Sequence, residues 1–478
     1  MAMSLSYSTM VAVILVVGWL LQKVAYALLF SPLGKIPGPF LARLTPLWLR
    51  YIDMTGNRTT TLHKLHQKYG STILVGPNEI SVNDVLNVKE LYGQQTEYMK
   101  APFYESMSMR PHGIFSLRDK VAHAQRRKLL SHAFSQSNVL ESEPLIQKQI
   151  VKLLAAIERC ADQPMDMLKW FRLTAHDIVG ELFLGQAFGG LDSGRTPRAL
   201  DDVESIFKLG NLEWNNPWIA ASLHYIPFAS VQHFLGAFDR MAEYGRDSGR
   251  RDLLTKILSV KPDTGVAPLT DREVSLEVGN LVSAGTDTTS TTLTFLFWEL
   301  SRHQFWQKRL RDELKTHADS SITLQQVQDL PILDAVINEA LRLHPAAPAS
   351  LPRETPTGGR QINGYYIPEK TVVSMQCYST QRDPEIFSEP ESFKPERWMS
   401  PQDLTSEMKE MFMPFSKGTR ACLGKNLAMI ELKLITANIA RRFEWKAAPE
   451  TTEASMATLD FFLLKPVAGK CDLIFTEL

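Results

Sequence analysis

The stretch FSKGTRACLG, residues 415–424, sets Cys422 between Gly418 and Gly424 and just behind Lys417 and Arg420. The chain has only four cysteines, and the other three, Cys160, Cys377 and Cys471, stand far from it. No Cys-x-x-Cys pair and no Cys/His cluster at zinc spacing occurs, and so sparse a set does not make a disulfide framework. A reducing compartment fits this usage. One cysteine can still serve as a ligand by itself, and the question is what Cys422 would hold.

Composition narrows the partners. Over 478 residues, 44% are hydrophobic and 22% charged, ordinary values for a globular protein. The formal net charge is zero, which gives no support to nucleic acid or a strongly anionic partner. The first thirty residues differ from the rest. MVAVILVVGWLL (10–21) is interrupted by Gln22 and Lys23 and continues as VAYALLF to Phe30. A membrane-crossing helix needs about 20 mostly apolar residues. A cleaved signal peptide is the rival reading, but it lacks its basic start and small-residue cleavage site here. No Lys or Arg precedes Lys23, whereas Lys35, Arg43 and Arg50 follow, so the positive-inside rule places the body in the cytosol. The expected organisation is an anchor over 1–30, a proline-rich hinge over 31–45 stiffened by PGP at 37–39, and a single domain over 46–478.

No linker, repeat or low-complexity tract divides the chain after residue 40. Short strands are expected at STILVG near 71, EISV near 79, RQINGYYI near 360 and TVVSMQ near 371. Periodicity predicts helices over most of the rest, including 138–160 and 426–443. The fold class is therefore mainly α, one large helical domain with a small sheet at its side. Thr270 and Glu273 have capping-box spacing, and no proline occurs from there to His303. That predicts 34 residues of helix, about 51 Å long. Its middle, SAGTDTTS (283–290), is poor helix sequence, since glycine and β-branched threonines both lower propensity. Two readings are open: a tolerated weak spot, or close approach of a flat ligand over Ala284 and Gly285 with Asp287 and Thr288 pointing toward it. In LPILDAVINEALRLHP (330–345), Glu339 and Arg342 share a face. On its own this is an ordinary surface pair, although Arg397 in FKPERW (393–398) could reach it.

The order of these pieces, a proline-rich hinge, A-G-T-D-T-T, E-A-L-R, P-E-R-W and F-S-K-G-T-R-A-C-L-G, resembles the haem-thiolate monooxygenases of the cytochrome P-450 superfamily. The likeness spans nearly the whole chain after the anchor, and its last motif is the specific one. More narrowly it is similar to membrane-bound eukaryotic members, with HAQRRKLLSHAFS (123–135) like those of filamentous fungi. The resemblance implies a haem b held by Cys422 as axial thiolate, the metal ligand. The physics of the stretch agrees: the glycines permit a tight turn and close approach of a flat ring, Phe415 would shield the sulfur, and the following helix places N–H groups beside it. Arg420 would pair with a haem propionate, as would Arg127 and, in place of the family's tryptophan, His123 with some pH sensitivity. Arg353 is a further propionate candidate. Glu339, Arg342 and Arg397 would form a buried ion-pair network.

The implied chemistry is reductive activation of O₂, one atom entering an organic substrate and the other leaving as water, with Thr288 and Asp287 delivering protons. No G-x-G-x-x-G follows a strand, so electrons would come from a separate reductase; the resemblance implies a membrane-bound flavoprotein using NADPH, at the endoplasmic reticulum. Lys417, Lys425, Arg126 and Lys128 would offer it a basic face. Pocket lining is expected in 100–117, 205–230, 276–284, 346–352 and 456–463, with Phe103, Tyr104, Phe115, Trp214, Trp218, Leu351 and Phe461. These imply a mid-sized apolar or aromatic substrate, such as a fungal secondary metabolite, for hydroxylation, epoxidation, ring closure or coupling. Two other classes stay open at this stage: a haem-thiolate isomerase or dehydratase that does not use O₂, and a non-catalytic membrane haem protein.

Overall fold

Asp271–Arg302 is one helix of 32 residues, and the remaining elements are arranged around it in a computed structural model that describes residues 2–107, 111–246, 269–315 and 322–478. Its start is the expected capping box. The Glu273 N–H donates to Thr270 Oγ1 at 3.3 Å, and the Thr270 N–H donates to Glu273 Oε2 at 2.9 Å. The weak middle and the turn after it satisfy their own hydroxyls. The hydroxyls of Thr286, Thr288, Thr292 and Thr294 donate to the carbonyls four residues back at 2.7–3.1 Å, which satisfies polar groups the interior would otherwise leave unpaired.

Met167–Val179 and Ala237–Arg246 pack along the long helix, and Pro331–Leu343 and Lys425–Arg442 brace it elsewhere. Gly285 belongs to this packing. A Cβ there would stand 2.7 Å from Val179 Cγ1, so the missing side chain admits a neighbouring helix. The expected approach of a flat ligand over Gly285 is thereby corrected. Phe171, Phe297, Trp445 and Phe475 are fully buried in the same core. Each such side chain contributes about 1.5–3 kcal/mol by leaving water. Trp445 also stacks on Phe297, with centroids 4.7 Å apart, and its indole N–H donates to the Phe297 carbonyl at 2.9 Å.

The four expected strand regions form strands. A five-stranded sheet runs in the order Thr72–Gly76, Glu79–Val82, Val372–Ser374, Arg353–Glu354, Met99–Lys100. Glu79–Val82 lies parallel to Val372–Ser374, with Ile80 opposite Val373. The last pairing sets Lys100 opposite Arg353, and this carries two cations to one place. Short strands Pro164–Asp166, Phe443–Ala447 and Asp472–Glu477 make a further sheet that no local pattern announces. The single helix expected over 138–160 is two, Gln136–Leu140 and Glu143–Arg159, because Pro144 belongs to a first turn.

At the N-terminus Ala2–Ala25 is helical and Tyr26–Phe30 continues it as a wider turn. Thr9–Phe30 comprises 22 residues of mean hydropathy 2.0, none buried against the protein, so it is long and apolar enough to cross a membrane. The proline-rich segment after it is docked on the domain. Leu33 and Ile36 are buried, and the Leu74 N–H donates to the Pro37 carbonyl at 2.7 Å.

Candidate active site

The Cys422 loop is built by backbone. Ser416 and Gly418 adopt positive φ of 56° and 64°, and the Cys422 N–H donates to the Phe415 carbonyl at 2.8 Å. Only glycine fits at 418, since a Cβ would lie 1.9 Å from the Tyr92 carbonyl oxygen. No such crowding exists at Gly424, whose added Cβ would meet nothing within 4 Å; it opens onto free space. The helix Lys425–Arg442 begins there, without a side-chain cap. The N–H groups of Gly424 and Lys425 instead bond the Cys422 sulfur. Burial pushes the thiol pKa up, opposed by those N–H groups and by the charges of Arg127 and Lys425. Cys422 is nevertheless an exposed cysteine. Both hold because protein surrounds the loop while the Cys422 side chain keeps accessible surface.

The long helix borders the same region. Ala284 is exposed and Thr288 half-buried, although Ser283, Thr286, Asp287 and Thr289 around them are buried. Glu431, on the helix that follows Cys422, hydrogen-bonds the Thr289 hydroxyl and ties the two helices together. Asp287 does not face that space. Successive helix residues diverge by about 100°, and its carboxylate turns to Arg172, accepting from Nε at 2.8 Å and Nη2 at 3.4 Å. Arg172 also lies 3.8 Å from Glu204, which pairs with Lys208 and Lys465. The expectation that Asp287 points at the ligand is corrected; of the two, only Thr288 keeps an accessible face, beside Ala284. Arg172 carried no local signal.

Cations converge on the other side of the loop. His123 and Arg127 are one turn apart on Lys120–Ser131, and Arg353 and Lys100 are cross-strand neighbours. Arg127 donates to the Ala421 carbonyl at 2.7 Å, Arg420 to the carbonyls of Leu117 and Arg118 at 2.7 and 2.8 Å, and Lys100 to that of Phe115 at 2.5 Å. Arg353 donates to the Pro352 carbonyl at 3.1 Å. Burial and mutual repulsion follow. Lys100 is held well below the usual lysine range by burial, then by Arg353, Arg420 and Arg127. Burial, then Arg353, brings Arg420 to about 10. Burial, then Arg420, Lys100, Arg127 and Arg353, lowers His123 to about 3, so these surroundings do not support the expected pH sensitivity of His123. Lys100 was not anticipated, because only sheet pairing brings it in.

Glu339 is the buried centre of a network. Its carboxylate accepts from Arg342 Nε and Nη2 at 2.9 and 2.7 Å, Arg397 Nε at 3.2 Å, Trp398 Nε1 at 2.9 Å and the Lys394 N–H at 2.8 Å. Arg342 completes its valences on the carbonyls of Gln381, Pro390 and Ser392. The surface-pair reading of Glu339 and Arg342 does not describe them.

Glu431 is a second buried carboxyl, with one oxygen unpartnered. Burial, opposed only by the Thr289 hydrogen bond, pushes its pKa up to about 8. A carboxyl raised in the fold favours folding most below its unfolded pKa and loses that contribution as pH rises through the folded value. Glu431→Gln is therefore expected to lose less stability than the wild type between about pH 5 and 8. The difference is on the order of 4 kcal/mol, and denaturant midpoints across that range check it. Parallel pH profiles would refute it.

Of the expected pocket residues, Phe103, Tyr104, Phe115 and Trp214 form one aromatic cluster, with centroids 5.4–5.6 Å apart in edge-on contacts. Residues 108–110 of the 100–117 stretch lie outside the described residues. Trp218 is 87% exposed. Leu351 packs on the smaller core beside the sheet. Phe461 faces Gly56, whereas Phe462, at φ 84°, joins Phe103, Phe115 and Phe207. Arg126, expected on a basic docking face, is committed to Glu273 and Glu277 at 2.6 and 2.7 Å, and Lys417 lies 3.6 Å from Glu410.

Residues 36–472 match the sequence model of the cytochrome P-450 family. The chain belongs to that family. It is 32% identical to the cytochrome P-450 monooxygenase tazI of Aspergillus terreus, over 97% of this chain and 98% of the relative. It is 33% identical to the monooxygenase aflV of Aspergillus parasiticus (95% and 94% covered) and 34% identical to stcB of Emericella nidulans (95% and 90% covered). The protein is a cytochrome P-450 monooxygenase, and the family implies a haem-thiolate cofactor, O₂, an organic substrate and a redox partner. The residues fit that cofactor. One cysteine keeps an accessible side chain with two N–H groups directed at its sulfur, and a cation cluster held by backbone carbonyls suits the two carboxylates of a haem. Cys377 and Cys471 do not compete. Cys377 is buried, donates to the Met413 carbonyl at 3.1 Å and is pushed by burial up to about 12; burial likewise raises Cys471.

Proposed function

We propose that Cys422, as its thiolate, would hold a haem b in an NADPH- and O₂-dependent monooxygenase that oxidises a mid-sized apolar or aromatic compound of fungal secondary metabolism. The observation that carries this is the convergence of the exposed Cys422 sulfur, two N–H groups aimed at it and the cation cluster behind its loop. When bound, the haem supplies the O₂ activation. Coordination to a metal keeps a thiol ionised despite burial, and the Gly424 and Lys425 N–H groups stabilise that charge. Arg127, Arg353, Arg420, His123 and the unanticipated Lys100 would hold the propionates. Phe415, Gly418, Gly424 and Ala284 shape the space for the ring.

Thr288 holds its hydroxyl proton on the Ala284 carbonyl at 2.7 Å and borders the reaction space. Asp287 would take protons from solvent through the Arg172–Glu204 side and pass them on by releasing Arg172. Thr288→Ala is expected to cut product formed per NADPH consumed about tenfold, with little change in haem content. Full coupling in that variant would remove Thr288 from proton delivery. Electrons would come from an NADPH-dependent flavoprotein reductase.

The N-terminal helix would anchor the protein in the endoplasmic reticulum with the domain in the cytosol. Exposed apolar residues on the domain, among them Leu47, Tyr51, Trp218 and Tyr225, support a membrane-facing surface. The deciding experiment is the absorption spectrum of the reduced, carbon monoxide-bound protein. A strongly red-shifted Soret band is expected; a band at the histidine-ligated position in undamaged protein would refute the assignment.

A further inference from the structure

We propose that the substrate is a planar aromatic molecule carrying a hydrogen-bond donor, and that this donor is received by Asn215 in a cleft walled by Phe103, Trp214 and Phe462. The inference rests on the monooxygenase reading above and names the chemistry its substrate must have. Asn215 closes the helix Arg198–Asn215 and is 2% exposed. Its Nδ2 faces two acceptors, the Asn211 carbonyl at 3.1 Å and Asn211 Oδ1 at 2.5 Å. A flipped amide would set its oxygen against the Asn211 main-chain carbonyl, which has no alternative orientation, so that contact fixes the amide. Oδ1 is then the buried atom left without a partner. A buried acceptor of this kind costs free energy until something donates to it.

The rest of the cleft asks for the same chemistry. Phe103 meets Trp214 edge-on with centroids 5.6 Å apart and lies 6.2 Å from Phe462, spacings that suit contact with another flat ring. At the far end the lining holds three carboxyls, Asp53, Glu79 and Asp460, around one guanidinium, Arg58. Arg58 donates to both Asp53 oxygens at 3.1–3.2 Å and to Glu79 at 2.5 Å. Asp460 accepts from the Thr59 hydroxyl at 2.5 Å and from the Phe462 N–H at 2.9 Å. Burial, then Glu79 and Asp460, pushes the Asp53 carboxyl up to about 6 against the opposing charge of Arg58. An end so rich in acceptors receives donors and repels anions.

The test measures dissociation constants of four probes on the haem-loaded protein by calorimetry: 2-naphthol, its methyl ether, 2-naphthoate and 2-naphthylmethylammonium. The wild type is expected to prefer naphthol over the ether about tenfold and to exclude the naphthoate. In Asn215→Leu the naphthol preference is expected to fall to about onefold, while the ether, which needs no acceptor, binds as before and shows the cleft intact. An ammonium that binds tighter than naphthol assigns the donor as cationic; equal binding assigns it as neutral. A naphthol-to-ether ratio near one in the wild type, or one unchanged in Asn215→Leu, overturns the donor role. Failure of all four to bind overturns the cleft assignment. The carbon monoxide spectrum stands apart from these results, so the haem-thiolate reading can survive either failure.

Discussion

Cys422→Ser is expected to abolish monooxygenase turnover and the red-shifted carbon monoxide band together, while the polypeptide stays folded. The loop does not depend on sulfur for its shape. It is held by the Cys422 N–H on the Phe415 carbonyl and by Gly418 seated against the Tyr92 carbonyl, and a serine satisfies both. What the hydroxyl lacks is a stable anion. The N–H groups of Gly424 and Lys425 and the charge of Arg127 favour an anionic sulfur, but they cannot ionise an alcohol near neutral pH. Activity should fall by at least about a thousandfold, since electron donation from the thiolate is what favours O–O cleavage. A folded variant that keeps a normal thiolate spectrum would show that another cysteine is the ligand. Cys377 and Cys471 are poorly placed for that, because burial without a cation raises both thiols.

The second large effect is expected at Glu339, far smaller in chemistry and larger in folding. Glu339→Ala removes an acceptor of five hydrogen bonds and leaves Arg342, fully buried, and Arg397, nearly so, without their carboxylate. Breaking one side of a buried ion pair costs roughly 3–5 kcal/mol. That is a large part of the roughly 5–15 kcal/mol by which domains are stable. Expression should fall, and any purified protein should have a sharply lowered denaturant midpoint and haem content. Glu339→Gln, which keeps the shape and some acceptors, should lie between the two. A loss of less than about 1 kcal/mol would place Glu339 with exposed pairs, against its complete burial.

Both effects act on residues that short-range sequence signals singled out, and the reason is that their chemistry is local. Cys422 and its glycines lie within ten residues, so the whole signal sits in one short stretch. Glu339 and Arg342 share a helix face by spacing alone, although burial, which turns that pair from incidental to essential, is not written in the spacing. The long helix was legible for a similar reason: a capping box starts it, and an absence of proline lets it run. The apolar N-terminus needs only composition.

Where the sequence fell short, the deciding contact joins segments far apart in the chain. Lys100 reaches the cation cluster because its strand pairs with Arg353. Asp287 turns away because Arg172, 115 residues earlier, waits on the adjacent helix. Gly285 makes room for Val179, and Glu431 finds Thr289 across two packed helices. A single residue in the wrong backbone basin reverses a side chain, which is why Phe462 at φ 84° enters the pocket and Phe461 does not. Sequence by itself therefore singled out Cys422 among four cysteines, the long helix and the extent of the apolar N-terminal segment, since each is marked by residues a few positions apart. Tertiary structure alone decided which charges meet, that Asp287 turns to Arg172 and which buried acceptors are left without a partner, because burial and pairing depend on neighbours that the chain brings together only by folding.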